Sequence, residues 1–258
     1  STGLRVRNKI NYMNPAAISA QDTMSFIFDI GLNGSIKHLK TNTSSADFNN
    51  VLFDHIAMSF PIKRWWFMAL GLTPYSKIGY DVKSYTPHSA IDTINMTYIN
   101  TGNGGINQVF FSNSFKLTKN LALGLNINYL FGSIEQYRQI NIQDDFNGNA
   151  TIIENDLYLK KFSYDLGFQY HEIINKKYFY TIGLTYSNKI SFNGDKKTVV
   201  LSTPVYNTDA ISIKNYINSY TTTVDTIASE TTKNNLTVPS SYGIGFTVGI
   251  IDKLTFGM

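Results

Sequence analysis

From Leu121 to Gly132 the side chains change character at every second position. Leu121, Leu123, Leu125, Ile127, Tyr129 and Phe131 form one row, while Ala122, Gly124, Asn126, Asn128 and Gly132 form the other, with Leu130 its single large apolar member. A period of two is what a β-strand shows when its two faces meet different surroundings. The pattern recurs with the same polarity. Phe162, Tyr164, Leu166, Phe168 and Tyr170 oppose Ser163, Asp165, Gly167, Gln169 and His171. Near the start, Phe26, Phe28, Ile30, Leu32 and Ile36 oppose Ser25, Asp29, Gly31, Asn33, Ser35 and Lys37. Tyr178 to Ser187 and Tyr242 to Ile250 follow the same rule.

Composition decides between the surroundings open to such strands. Apolar residues make up 43% and charged residues 16%, with 17 Tyr and 17 Phe, whereas soluble domains carry about 25% charged residues. No stretch is apolar for the roughly 18 residues a membrane helix needs, which excludes that element. Strands that are oily on one face and wet on the other, about 9–11 residues long, are the repeating unit of a transmembrane β-barrel. There is no cysteine, hence no disulfide framework or thiolate metal site. The net charge of +4 never gathers into a basic run, which argues against a nucleic-acid surface. No signal-peptide pattern opens the chain at Ser1, so any such leader is expected either to have been removed or to lie outside this sequence.

A soluble β-sandwich also alternates, so the connections must separate the two folds. Short links at Pro61 to Arg64, Thr118 to Asn120, Ile174 to Lys177 and Ile251 to Lys253 each carry a lysine. Long polar links run from Lys40 to Asn50, Asp81 to Asn103, Ile134 to Asn155 and Gly194 to Val238. Strict alternation of short and long links favours a barrel with tight periplasmic turns and long outer loops. The reading predicts eight strands, near 24–39, 51–61, 65–80, 105–117, 121–140, 152–172, 178–193 and 239–250, and the start of a ninth at Leu254. A small closed eight-strand barrel is the alternative architecture. Trp65, Trp66, Tyr178, Phe179 and Tyr180 follow the short turns, where an aromatic girdle would meet the inner lipid interface.

Three segments resemble the FadL-type outer-membrane transporters of long-chain fatty acids and other hydrophobic compounds. Asn14, Pro15 and Ala16, within NYMNPAAIS, resemble the Asn-Pro-Ala motif of that family's amino-terminal hatch. Gly71 to Tyr80 resembles its third strand, and the segment from Val238 its Pro-x-Ser-Tyr-x-x-Gly hairpin. The resemblance implies an all-β antiparallel barrel with a hatch at residues 1–21 and a barrel from 22 to 258, incomplete at its C-terminus. It implies a parent of about 14 strands, of which roughly 8–9 are present. It also implies an integral protein of the Gram-negative outer membrane that passes hydrophobic small molecules inward passively. The partners implied are such a solute and outer-membrane lipid or lipopolysaccharide, with other envelope proteins a further class. The alternative function is a non-transporting barrel that acts as scaffold or accessory of a protein-secretion machinery.

A greasy solute needs apolar footholds in an otherwise polar interior. Ile27, Phe67, Phe110 and Leu130 are such exceptions on the wet rows and are the candidate ligand contacts; packing of the hatch or of the barrel interior explains them equally well. No enzyme is expected. His38, His55, His88 and His171 are scattered, without HExxH spacing or a Gly-x-Ser-x-Gly elbow. The run Asp144, Asp145, Asn147, Asn149, Glu154 and Asp156 lacks the central glycine and closing glutamate of a calcium loop. No metal and no cofactor are therefore expected.

Overall fold

In a computed structural model of the chain, described for residues 2–40, 45–87, 95–143, 149–204, 225–251 and 253–258, nearly everything after residue 26 is antiparallel strand. The strands are β1 (Ile27–Lys40), β2 (Ser45–Lys63), β3 (Trp66–Pro87), β4 (Asn95–Lys116), β5 (Leu121–Gln143) and β6 (Asn149–Ile174). They continue with β7 (Tyr178–Ser187), β8 (Ile190–Pro204), β9 (Asp225–Val238), β10 (Ser241–Ile250) and β11 (Leu254–Gly257). Together they form one 11-stranded sheet in the order β1-β2-β3-β4-β5-β6-β7-β10-β11, with β8 paired to β6 and β9. Among the described residues β1 and β11 are the two ends of this path and do not pair, so the sheet is not closed.

The alternation survives as two faces. On the outer face the apolar rows are open: Phe28 is 55% exposed, Leu32 71%, Phe162 68% and Ile244 81%. Among the described residues no second sheet covers them, which speaks against the sandwich. On the concave face Ser112, Ser114, Asn126, Asn128, Gln169 and Thr181 are buried, although they are polar. Something therefore occupies that side, because buried polar groups need partners.

The strand boundaries differ from the predicted ones at the ends away from the short turns. The supposed links at 81–103 and 134–155 are mostly strand, since β3 and β4 pair as far as Pro87 with Asn95, and β5 and β6 as far as Ile142 with Asn149. Their outer parts carry polar residues on both faces, so period two fades there while the backbone ladder goes on. His88 and the residues Asp144, Asp145 and Asn147 lie outside the described residues.

The strand expected at 178–193 is divided after Ser187 between β7 and the start of β8, and the rest of β8 together with β9 occupies part of the expected link from Gly194 to Val238. Eight steps along this chain, from Ser187 to Asp195, match seven along β6, from Asp165 to Tyr158. The extra residue is a bulge at Asn188-Lys189, where Asn188 Oδ1 accepts the Tyr164 amide at 2.8 Å. Directly across, Pro239 and Ser240 interrupt the partner strand, and proline cannot donate to a ladder. A one-residue slip turns every following side chain to the other face. Ile190 and Phe192, in step with the outward row of β7, therefore point inward and bury against Ile106, Leu130 and Leu159.

This cluster makes the bulge a source of stability. Phe192→Ala should lower the stability of the purified protein by about 3–5 kcal/mol, read as a fall in thermal midpoint, while Ile244→Ala on the exposed row should change it little. Equal effects would show that Phe192 is not packed as described.

Candidate functional site

The concave face is filled by the chain's own first residues. Asn14 Oδ1 accepts the Ala16 amide at 3.1 Å and so caps a 3-10 turn, Pro15–Ala20, with proline at its first position, where no donor is needed. Small side chains follow, and Pro15, Ala16, Ala17, Ile18 and Ser19 are all buried. This turn rests against β3, β4, β5 and β6.

Glycines make the approach possible. Gly124 of β5 pairs with Gly167 of β6, and Gly183 of β7 pairs with Gly245 of β10. A methyl group at Gly124 would run into the backbone of Pro15 and Ala16, and one at Gly167 into Asn14 and Pro15. Gly183 and Gly245 stand in the same relation to Thr2 and Gly3. The wall thus lacks side chains where the N-terminal backbone lies on it.

Polar groups of the wall hold that backbone. Asn14 Nδ2 donates to Thr2 O at 2.8 Å and to Phe168 O at 3.3 Å. Ser114 Oγ donates to Ala16 O at 3.1 Å, and Asn126 Nδ2 to Tyr12 O at 2.9 Å. Gln21 Nε2 donates to Ser59 O at 3.1 Å, and Ser59 Oγ donates to Gln21 Oε1. Arg5 donates to Gln169 Oε1 at 2.8 Å and Ser19 Oγ at 3.1 Å. Burial, with Arg7 adding to it, lowers the Arg5 guanidinium to about 10, so it stays charged at neutral pH. Hydrogen bonds to a charged donor contribute about 1.5–3 kcal/mol each.

Three of the four sequence candidates meet here. Phe67 and Phe110 are buried in one cluster with Ile10, Ile18, Ala57 and Ala69, and Ile27 and Tyr12 pack against it. The Tyr12 and Phe110 rings stack with centroids 5.6 Å apart. Leu130 sits apart, in the cluster under Phe192. All four touch the chain itself. Asn14, Pro15 and Ala16 lie at the glycine contact. The alternation rows alone did not reveal Arg5, Gln169, Ser114 or the glycine pairs; glycines on the wet rows of neighbouring strands were the available signal.

Further polar groups line the same face. Asp165 accepts from Asn128 Nδ2 at 2.7 Å, and Gln108 Nε2 donates to Asn128 Oδ1 at 2.9 Å. His55 lies 2.7 Å from Asp54 and 3.3 Å from Asp29, and the Tyr12 hydroxyl, raised by burial and then by Asp54, faces the same group. His171 contacts Thr181 Oγ1 at 2.8 Å, while His38, in step with the outer row of β1 and exposed, contacts Asp47 at 2.6 Å away from this face. The three histidines belong to separate contacts. Among the described residues no cluster of three or more His, Asp or Glu is placed to hold a metal ion.

Comparison with known families gives one result that covers almost the entire chain. The model of the BamG family matches residues 4–258. No curated protein and no solved structure matches. BamG is a family of the outer-membrane β-barrel assembly machinery and not of the FadL-type transporters, so the FadL resemblance is corrected. Passive uptake of hydrophobic compounds falls with it, and the family match lends support to envelope-protein partners and none to a solute or lipopolysaccharide.

The glycine contact can be tested in a chain that has no cysteine of its own. A single cysteine replacing the buried Ala17 should react slowly with a maleimide. Gly124→Val or Gly167→Val should speed that reaction about tenfold or more by displacing the segment, whereas Gly79→Val, where a side chain meets open space, should not. Unchanged reactivity in the first two variants would refute the contact.

Proposed function

The chain belongs to the BamG family, and we propose that it serves the outer-membrane β-barrel assembly machinery as an integral, internally plugged β-barrel accessory. The family associates it with the Gram-negative outer membrane and with envelope-protein partners of that machinery. The proposal gives the chain a structural role and no catalytic step.

The observation that carries the accessory role is the filled interior. The N-terminal segment occupies the concave face from β2, through Gln21 and Ser59, to β10, through Gly3 and Gly245. A second layer, Phe192 and Ile190 over Leu130 and Leu159, covers the same side further from the turns. Interior side chains thus bind other parts of the chain. What remains to meet a partner is the outer wall, the turns and the long strand ends.

The slope of the apolar band supports membrane insertion. Phe60, Met68, Asn113, Leu125, Leu166, Tyr186 and Tyr242 lie on one cross-strand row. On β2 this row lies close to the turn end of the outward apolar residues, with Ile62 alone nearer the turn and Met58, Ile56, Phe53 and Val51 beyond it. On β10 it marks the opposite end, and the band runs eight residues further, to Ile250. Six strand steps of about 4.8 Å against an offset of roughly six to eight residues of about 3.3 Å correspond to a tilt of about 35–43°, within the range of outer-membrane barrels.

Aromatic pairs mark both edges of the band. At the turn edge stand Trp66 with Phe115 (6.2 Å) and Tyr170 with Tyr180 (6.0 Å). At the far edge stand Tyr129 with Phe162 (4.9 Å) and Tyr186 with Tyr242 (5.1 Å). Rings at both edges suit the two lipid–water interfaces.

Depletion of the protein in its own cells tests the function. The steady-state amounts of other outer-membrane barrels should fall, and the protein should co-purify with subunits of the assembly machinery. Undiminished barrel levels, together with the absence of machinery subunits from the purified material, would overturn the proposal.

A further inference from the structure

The fold gathers at one end a charge that the sequence scatters. Lys63 and Arg64 stand at the β2–β3 turn, Lys119 at the β4–β5 turn, Lys176 and Lys177 at the β6–β7 turn, and Lys253 at the β10–β11 turn, all exposed. The turns at 64–65, 117–120 and 175–177 contain no acid, the sequence places Asp252 in the turn at 251–253, and Asp22 is exposed at the same end ahead of β1, so the cations outnumber the acids there. The nearby Glu172 is engaged, accepting from Tyr180 at 2.6 Å and Tyr170 at 2.9 Å. The opposite ends of the strands mix both signs, as at Glu135, Glu154 and Asp156 beside Lys160 and Lys197.

These cations differ in what they lean on. Lys63 lies over the Trp65 ring at 5.6 Å and Lys177 over the Tyr178 ring at 5.3 Å, which suits anchors at the edge of the apolar band. Arg64, Lys119, Lys176 and Lys253 project from the turn tips. Arg7, exposed and near enough to Arg5 and His171 to depress both, adds charge from the N-terminal segment on the concave side. A bilayer reaches the outer rim of such an end but not its interior, so the whole face is matched by a macromolecule that caps it.

We propose that this basic end is a docking surface for an acidic face of a periplasmic protein. The proposal rests on the barrel reading above, which puts the short turns in the periplasm. Complementary charge spread over several turns would speed encounter and fix orientation, and the binding would weaken with salt.

The test uses the full chain in phosphatidylcholine nanodiscs and a fluorescent poly-glutamate peptide as the acidic probe. Insertion into the disc reports on the barrel reading by itself. The combined Arg64→Gln, Lys119→Gln and Lys253→Gln variant should bind the peptide about tenfold more weakly, a loss of 1.4 kcal/mol. Lys37→Gln, Lys77→Gln and Lys160→Gln together, which remove equal charge at the other end, should leave binding unchanged. Equal behaviour of the two variants, or no binding by the parent, would overturn the proposal. Loss of peptide binding when part of the phosphatidylcholine is replaced by phosphatidylglycerol would assign the face to anionic lipid and overturn it too.

Discussion

Contact between a backbone and a wall without side chains organises this structure. Asn14 and Pro15 can lie on β5 and β6 because Gly124 and Gly167 offer no Cβ, and Thr2 and Gly3 can lie on β7 and β10 because Gly183 and Gly245 offer none. Close approach brings carbonyls within reach of Ser114 and Asn126, and it buries Ile10 and Ile18 against Phe67 and Phe110. Each hydrogen bond contributes only about 1 kcal/mol net, so the larger part of the contact comes from the apolar burial of Ile10, Ile18, Phe67 and Phe110 that the close approach allows. The interior is therefore specified as a filled one, which directs function to the outside of the molecule.

Register is the second constraint. With a side-chain period of two, a single extra residue exchanges the two faces, and the chain uses this at Asn188-Lys189. Below the bulge, Tyr178 to Tyr186 belong to the apolar outer row; above it, Ile190 and Phe192 become interior. The same device occurs at Gly31/Leu32, opposite Asp54, and at Pro74/Ser76, which leaves Tyr75 unpaired. Bulges thus decide which side chains meet the band and which meet the interior.

Much of the sheet was legible in the sequence because one face is apolar and the other is not. The lower halves of β1, β5, β6, β7 and β10 are readable from Phe28, Leu125, Leu166, Leu184 and Phe246 alone. Most of β8 and all of β9 escape the pattern for two physical reasons: the bulge breaks the alternation at Asn188, and the residues beyond it do not alternate, with Gly194 to Thr198 polar or small and Val199, Val200 and Leu201 apolar in succession. The inward position of Ile27, Phe67, Phe110 and Leu130 was readable, but not that other parts of the chain cover them, since covering depends on residues far away in sequence. The motifs that suggested a transporter coincide with local devices: Asn14 is a cap, Pro74 adjoins a bulge, and Pro239 stands across from another. Such devices serve the geometry of a sheet and carry no information about a solute.

The claim on which the account depends is that alternate side chains meet hydrocarbon outside and protein inside. Methyl NMR of the protein in lipid tests it with two relaxation agents, a nitroxide-bearing fatty acid in the bilayer and a gadolinium chelate in water. The methyl groups of Leu123, Leu125 and Ile127 should be broadened by the lipid agent, while those of Ile18 and Leu130 should be shielded from both. Broadening of Ile18 and Leu130 by the aqueous chelate, or an outer row untouched by the lipid agent, would contradict it.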